Sequence, residues 1–312
     1  MTFTYALIRS LRGALTVLVL LSLVFVILRL SGDPLDAMLG EEAEPELVAY
    51  YTALYGLDRP IWEQYLRYFG GLMQGDFGFS YRDGRDALEV VLERVPATLQ
   101  LGLTAIAFGL FLSIPLGILG ALYRDSPLDR FTMAFAVFGF SLPNFFLGIL
   151  LILLFTMTLQ MLPSSGTGSW AHMVMPVLTL GTSSAGSIAR FARSSMLEVL
   201  PKPYMITAAA KGITRPRRIT WHALLNAAIP LVTILGFRIG DIIAGAVVVE
   251  AVFAWPGVGR LLVSSVSSRD LAIVQTIVII VTLTMVLTNL LVDLAYGWID
   301  PHLRTELKGK GT

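Results

Sequence analysis

The feature that most constrains this chain is a series of long stretches that carry almost no charge. Each stretch has at least about 17 residues, the lower limit for a helix that crosses a bilayer. Only 14% of the 312 residues are charged and 55% are hydrophobic, whereas a soluble domain carries about 25% charged residues. The sequence therefore excludes an ordinary soluble enzyme and predicts an all-α membrane protein with six transmembrane helices. The six stretches are Gly13–Leu30, Thr98–Tyr123, Phe131–Met161, Met173–Ala189, Ala223–Ala254 and Leu271–Leu291.

Hydroxyl residues and prolines inside these stretches bear on how the helices pack. Five serines and threonines dilute the fourth stretch without adding charge, which predicts a helix that faces other helices rather than lipid. Prolines within or at the ends of spans predict kinks. They are Pro115, Pro143, Pro176 and Pro230.

Basic residues set the predicted orientation, because the cytoplasmic loops of membrane proteins are enriched in lysine and arginine. Arg9 and Arg12 precede the first span, and seven lysines and arginines lie between the fourth and fifth spans. The segment 31–97, between the first two spans, is strongly acidic. These charges place both termini in the cytoplasm and 31–97 outside.

The outer segment 31–97, here called the cap, contains many aromatic residues, and disordered segments are poor in them. A helix is predicted over Pro60–Met73, with the proline at its start, followed by a turn at Gly75-Asp76-Phe77-Gly78. The cap either covers the outer mouth or forms a docking surface. The predicted organisation is then 1–30 for the N-terminus and first span, 31–97 for the cap, and 98–312 for the remaining five spans.

The polar loop 190–222, here called the coupling segment, is too long to be a simple reversal between the fourth and fifth spans, and long loops commonly carry function. Its pattern predicts a short helix over Tyr204–Lys211, with Gly212 just past the end. Small alanines at the centre of this helix permit close approach by another backbone. The alternative is a surface hairpin with a basic face for anionic lipid.

The coupling segment resembles the EAA loop of ABC importer permeases, in which a Glu-Ala-Ala triplet precedes a glycine. Counting back from Gly212, Ala208 matches the second alanine, while Thr207 and Ile206 replace the first alanine and the glutamate. These departures resemble the dipeptide, oligopeptide and nickel branch of the family. Other stretches similar to that branch follow in order along nearly the whole chain: Gly32-Asp33-Pro34, Gly56-Leu57-Asp58, Gln64-Tyr65, Gly75-Asp76-Phe77-Gly78, Pro96-Ala97-Thr98-Leu99, Phe253-Ala254-Trp255-Pro256-Gly257, Arg269-Asp270 with Gln275, and Asp300-Pro301.

The resemblance implies a type I permease fold in a bacterial inner membrane and a set of partners. These partners are a second homologous permease, two cytoplasmic ATPase subunits, a periplasmic substrate-binding protein and membrane lipid; no nucleic acid is expected. A phosphate loop of the G-x-x-x-x-G-K-[ST] type is missing from the chain, so no cofactor is expected here, and ATP and magnesium are used by the ATPase subunits. The resemblance assigns contact with an ATPase to Tyr204, Thr207, Ala208, Ala210, Lys211 and Gly212.

Ionisable residues within a span are costly and point to function. Arg238, Asp241 and Glu250, all in the fifth stretch, are therefore candidates for the translocation path. An internal ion pair between Arg238 and Asp241, or an interfacial anchor at Glu250, is the competing interpretation.

An enzyme is not expected, and neither a catalytic nor a metal site is predicted. The three histidines are far apart and none begins an H-E-x-x-H helix, while no G-x-S-x-G elbow surrounds Ser183 and Ser184. The predicted cargo is a di- or oligopeptide. Nickel, a nickel chelate or a small solute such as glutathione is the alternative, and an ATP-independent carrier or channel is a more distant one.

Overall fold

The computed structural model describes residues 3–30, 35, 39–40, 43–228 and 242–299 of the chain, and it is mostly helical. Two π-helical segments, Ile152–Thr158 and Arg218–Ala223, continue the α-helices that end at Leu151 and Arg217. Strands β1 (Phe79–Ser80) and β2 (Arg85–Asp86) pair antiparallel, with Phe79 opposite Asp86. The helices are α1 Phe3–Leu30, α2 Pro45–Tyr55, α3 Ile61–Met73, α4 Ala87–Leu122, α5 Pro127–Ser141, α6 Asn144–Leu151, α7 Ala171–Val199, α8 Pro203–Ala210, α9 Arg215–Arg217, α10 Ile242–Val252, α11 Val258–Ser267 and α12 Leu271–Ile299.

Two described helices are long and apolar enough to cross a membrane, α4 and the Leu271–Leu291 part of α12. The number of such spans becomes three if α5 and α6, together with the π-helical continuation of α6, form one bent span. The apolar part of α1, Leu11–Ile27, is shorter than these spans. The middle of the predicted fifth span lies outside the described residues. The mostly helical character is thus confirmed, while the number of six spans stays a prediction.

The predicted third span, Phe131–Met161, is divided into two helices at residues 142–143. Helix α5 and the helix that starts at Asn144 meet at an angle of 102°. Leu142 between them is extended, with φ −84° and ψ 124°, because a following proline disfavours helical geometry. The kink predicted at Pro143 is confirmed, whereas Pro176 is accommodated inside α7.

The chain divides into two compact units. One comprises the chain up to Ala97 together with Pro256–Val286, and the other comprises Thr98–Trp255 together with the chain from Leu287. The first unit contains α1 and the described part of the cap, where the predicted helix is observed over Ile61–Met73. The buried Phe25 ring of α1 lies 5.5 Å from the Tyr65 ring and 5.6 Å from the Tyr68 ring of α3.

In the second unit, α7 packs against α4 and α5 at backbone distance. A Cβ placed on Gly117 of α4 would lie 2.6 Å from the Ala189 carbonyl oxygen of α7, and one on Gly186 of α7 would lie 2.8 Å from the Ala136 carbonyl oxygen of α5. Small residues allow membrane helices to approach this closely. Close packing is needed because the hydrophobic effect does not drive helices together in lipid. The predicted burial of the fourth span is therefore confirmed, and the helix runs ten residues past Ala189 to Val199.

We expect Gly117→Ala to destabilise the protein, because the added methyl group would meet a backbone carbonyl that cannot move without shifting α7. Overpacking of this kind costs about 1–3 kcal/mol, which outweighs the gain of up to about 1 kcal/mol in helix propensity. The matched control is Gly70→Ala in α3, where a Cβ meets nothing within 4 Å. Thermal unfolding in detergent should show a lower midpoint for the first variant and an unchanged or higher one for the second; equal midpoints would contradict the packing argument.

Candidate functional site

The coupling segment contains the short helix that the sequence predicts, displaced by one residue at each end. Helix α8 runs over Pro203–Ala210, and Pro203 occupies the first helical position, where its missing N–H costs no hydrogen bond. The Met205 N–H donates to the Lys202 carbonyl oxygen at 2.9 Å. The short helix therefore begins immediately after the turn that ends α7.

Gly212 ends this helix with a complete C-terminal cap. Its φ of +74° lies in the left-handed region, which glycine adopts without steric cost. The N–H groups of Gly212 and Ile213 donate to the carbonyl oxygens of Ala209 and Ala208, at 3.0 and 3.1 Å. This is the Schellman arrangement, and it explains why a glycine is needed at position 212.

The two faces of α8 have different environments. Met205 and Ala208 are buried, and Met205 belongs to an apolar cluster with Ala121 at the end of α4, Met196 and Val199 on α7, and the alanines at 223 and 227. The opposite face is exposed, and Ile206 there keeps 66% of its surface accessible. The helix is thus anchored to the end of α7 on one side and open on the other.

The structure separates the six predicted ATPase-contact residues into two groups. Five are exposed: Tyr204, Thr207, Ala210, Lys211 and Gly212. Ala208 is buried against its own chain, and its contact with an ATPase stays a prediction. The sequence could not distinguish Ala208 from Ala210, because which helical face is covered depends on neighbours far away along the chain.

A buried ion pair lies between the start of α5 and the C-terminal part of α7. The Arg193 guanidinium makes two hydrogen bonds to the Asp129 carboxylate, from Nε to Oδ1 and from Nη2 to Oδ2, the latter at 2.7 Å. The side chains are 20% and 5% exposed, respectively. The hydrogen bonds from Arg193 hold the pKa of Asp129 below its usual range, against the opposing effect of burial. Two-point binding of this kind fixes orientation as well as distance.

Local capping at the start of α5 places Asp129 for this pair. Ser126 caps the helix by accepting a hydrogen bond from the Asp129 N–H at 3.3 Å, and Asp129 Oδ2 accepts one from the Asp125 N–H at 2.9 Å. The Ser-x-x-Asp pattern of a capping box was the available sequence signal. Its partner Arg193 is 64 residues away, and no local pattern indicates that pairing.

The candidate translocation-path residues are only partly described. Arg238 and Asp241 lie outside the described residues. Glu250 is fully buried in α10 and accepts a hydrogen bond from Thr98 Oγ1 at 2.6 Å. This position favours a structural contribution within the unit over an interfacial anchor, and the path role of all three residues stays a prediction.

The sequence and the fold match one class of membrane transport component. Residues 113–305 match the family described as binding-protein-dependent transport system inner membrane component, and residues 3–102 match its N-terminal domain. The structure is similar to a chain of the MetNI methionine ABC transporter solved in inward-facing conformations, with a TM-score of 0.56 and 18% identity, over 68% of this chain and 96% of that chain. At this identity the likeness shows the fold alone.

Curated relatives match nearly end to end. The glutathione transport system permease protein GsiC of Salmonella paratyphi A is 41% identical over 96% of this chain and 98% of its own length. The dipeptide transport system permease protein DppB of Escherichia coli K12 is 40% identical over 88% of this chain and 90% of its own length. The chain therefore belongs to the family of binding-protein-dependent transport system inner membrane components, and it is an ABC importer permease.

We expect Arg193→Gln to destabilise the protein by about 3 kcal/mol, since it leaves a buried carboxylate without its partner. The double variant Asp129→Asn with Arg193→Gln should recover much of this loss, because no charge then remains buried. Arg124→Gln is the matched control: its pair with Asp125 is long, 3.6 Å, and exposed, so the change should cost less than about 1 kcal/mol. Thermal unfolding midpoints at pH 7 provide the measurement.

The same pair predicts a pH dependence. The folded-state pKa of Asp129 is lowered. Its contribution to the free energy of unfolding is therefore fully present above the unfolded-state pKa of about 3.9 and is lost as the pH falls through the folded-state pKa. The free energy of unfolding of the Asp129→Asn variant should therefore be lower than that of the parent protein at pH 7. The two values should become equal only in strong acid. A constant difference down to pH 3 would contradict the assigned state of this carboxylate.

Proposed function

We propose that this chain is the permease subunit of an ATP-driven importer of short peptides, and that it forms the translocation path together with a second, homologous permease. The end-to-end likeness to permeases named for dipeptide and glutathione transport carries this proposal, since glutathione is itself a short peptide. Nickel or a nickel chelate stays an alternative cargo prediction, without support from these relatives.

ATP hydrolysis is assigned to two separate cytoplasmic ATPase subunits, which would hold ATP and magnesium. The absence of a G-x-x-x-x-G-K-[ST] loop from the whole sequence supports this division. A periplasmic binding protein delivers the peptide. The positive residues of the coupling segment support its location in the cytoplasm, and the acidic cap then lies outside, with six spans and both termini inside.

The exposed face of α8 is the proposed contact with one ATPase. Its small residues, Thr207 and Ala210, permit a close approach, and Tyr204 and Lys211 border them. The buried face transmits the movement: Met205 packs with Met196 and Val199 of α7. Displacement of α8 therefore moves the end of α7, while the Asp129–Arg193 pair makes α5 follow.

Reconstitution tests the proposed function. We expect liposomes that contain this permease, the second permease and the two ATPases to take up a labelled dipeptide only with external binding protein and internal ATP. Uptake by this chain alone would favour a carrier, and failure of peptide uptake alongside binding-protein-dependent uptake of another solute would overturn the cargo assignment.

We expect Gly212→Val to uncouple ATP hydrolysis from uptake while the protein remains in the membrane. A β-branched residue in the left-handed region costs about 1–2 kcal/mol and would disrupt the cap that ends α8. Gly84→Val is the matched control, since Gly84 also has a positive φ, +64°, and open space for a Cβ, but lies in the turn between β1 and β2. Unchanged ratios of peptide imported to ATP hydrolysed in the Gly212 variant would contradict the coupling role.

A further inference from the structure

A cavity of about 380 Å³ lies within the unit that contains the cap. Residues from the motifs at 56–57, 76–78 and 269–270 contribute to its walls, together with α3 and the start of α12. The coupling function uses none of these residues. The volume lies within the range of about 300–1,000 Å³ that is typical of small-molecule sites.

Two side chains of α3, Gln64 and Tyr68, line this cavity, but their unsatisfied polar atoms are not exposed to it. The Tyr68 hydroxyl and Gln64 Oε1 are buried and have no hydrogen-bond partner among the described residues. The Gln64 amide nitrogen already donates to the carbonyl oxygens of Leu57 and Arg59, at 3.2 and 2.8 Å, which leaves its oxygen as an acceptor.

Charges of both signs border the same cavity. Arg67 and Arg269 supply guanidinium groups, and Asp76 supplies an exposed carboxylate. Within the described part of the chain, Arg269 makes no ion pair and Arg67 makes only a long one, 3.6 Å from Glu63. Asp270 also lines the cavity, but its Oδ2 already accepts a hydrogen bond from Ser80 Oγ at 2.5 Å.

Apolar side chains complete the lining. Leu54 of α2, Leu57 and Phe77 lie among the polar groups. A ligand that matches the charged and apolar lining carries a carboxylate, an ammonium group and an apolar side chain. A short peptide with free termini has this combination.

We infer that the cap cavity is a binding site for a zwitterionic short peptide, separate from the coupling segment. The peptide carboxylate pairs with Arg269 and Arg67, and its ammonium group with Asp76. This inference rests on the proposed peptide cargo and adds a site at which the permease itself selects for that cargo.

Thiol protection tests the site, because the chain has no cysteine and one engineered thiol in it is unique. Leu54→Cys places that thiol at the cavity, and Leu47→Cys, on the same helix but away from the cavity, is the control; the parent leucines are 58% and 44% exposed. The full transporter in lipid nanodiscs, without binding protein, is treated with a thiol reagent, and labelling of this chain is followed by mass spectrometry.

We expect saturating alanyl-phenylalanine to slow labelling at position 54 at least 5-fold and to leave position 47 unchanged. Two changes should each raise the ligand concentration needed for protection at least about 10-fold, since each removes a hydrogen bond between charged groups. They are the C-terminal amide of the same dipeptide on the Leu54→Cys protein, and the unmodified dipeptide on the Leu54→Cys protein with an added Arg269→Gln substitution. Arg82→Gln, an exposed arginine outside the cavity, should have no effect.

The same transporter, with binding protein and ATP, is assayed for uptake of the dipeptide, which separates the two proposals. Uptake without protection at position 54 would overturn the cavity inference alone. Protection without uptake would support the site and overturn the proposed cargo, and the absence of both would overturn both. Equal protection at positions 54 and 47, or protection insensitive to Arg269→Gln, would also overturn the inference.

Discussion

Close backbone contact between α7 and its neighbours α4 and α5 is the interaction on which the larger unit depends. In lipid, an apolar side chain gains little by leaving one apolar environment for another, so helices associate through close packing and polar contacts. The glycines at positions 117, 139 and 186 provide this packing, since a Cβ on any of them would lie 2.8 Å or less from a carbonyl oxygen of the opposing helix. The serines and threonines of α7 make this helix only weakly hydrophobic. Because their side chains are small, they also allow α7 to pack closely at the centre of the unit.

The position of the coupling segment follows from this packing. Helix α7 continues beyond its closely packed part to Val199, and α8 begins four residues later. Met205 then returns to contact the cluster formed by Met196 and Val199, so the short helix is anchored on the element that it is proposed to move. The Asp129–Arg193 pair adds a polar connection to α5, and its two hydrogen bonds resist rotation of one helix about the other.

The cap is stabilised by contacts of a different kind. Its described helices and hairpin pack through aromatic rings and hydrogen bonds rather than close glycine contacts, as the Phe25–Tyr65–Tyr68 group and the Ser80–Asp270 bond illustrate. This packing leaves an open cavity beside α3. Arg67, Arg269 and Asp76 line it, which distinguishes the cap cavity from a packing defect lined by apolar groups alone.

Patterns among neighbouring residues were sufficient to predict the apolar helices, the cap helix after Pro60, the break at Pro143 and the end of α8 at a glycine. Family membership could also be predicted from the sequence, because the motifs of the family occur in order along the chain. Three contacts became known from the packed fold alone: the burial of Ala208 but not Ala210, the pairing of Asp129 with Arg193, and the hydrogen bond from Thr98 to Glu250. The physical reason is distance along the chain: capping and helical periodicity act within about four residues, whereas these contacts join residues that meet only after whole helices have packed.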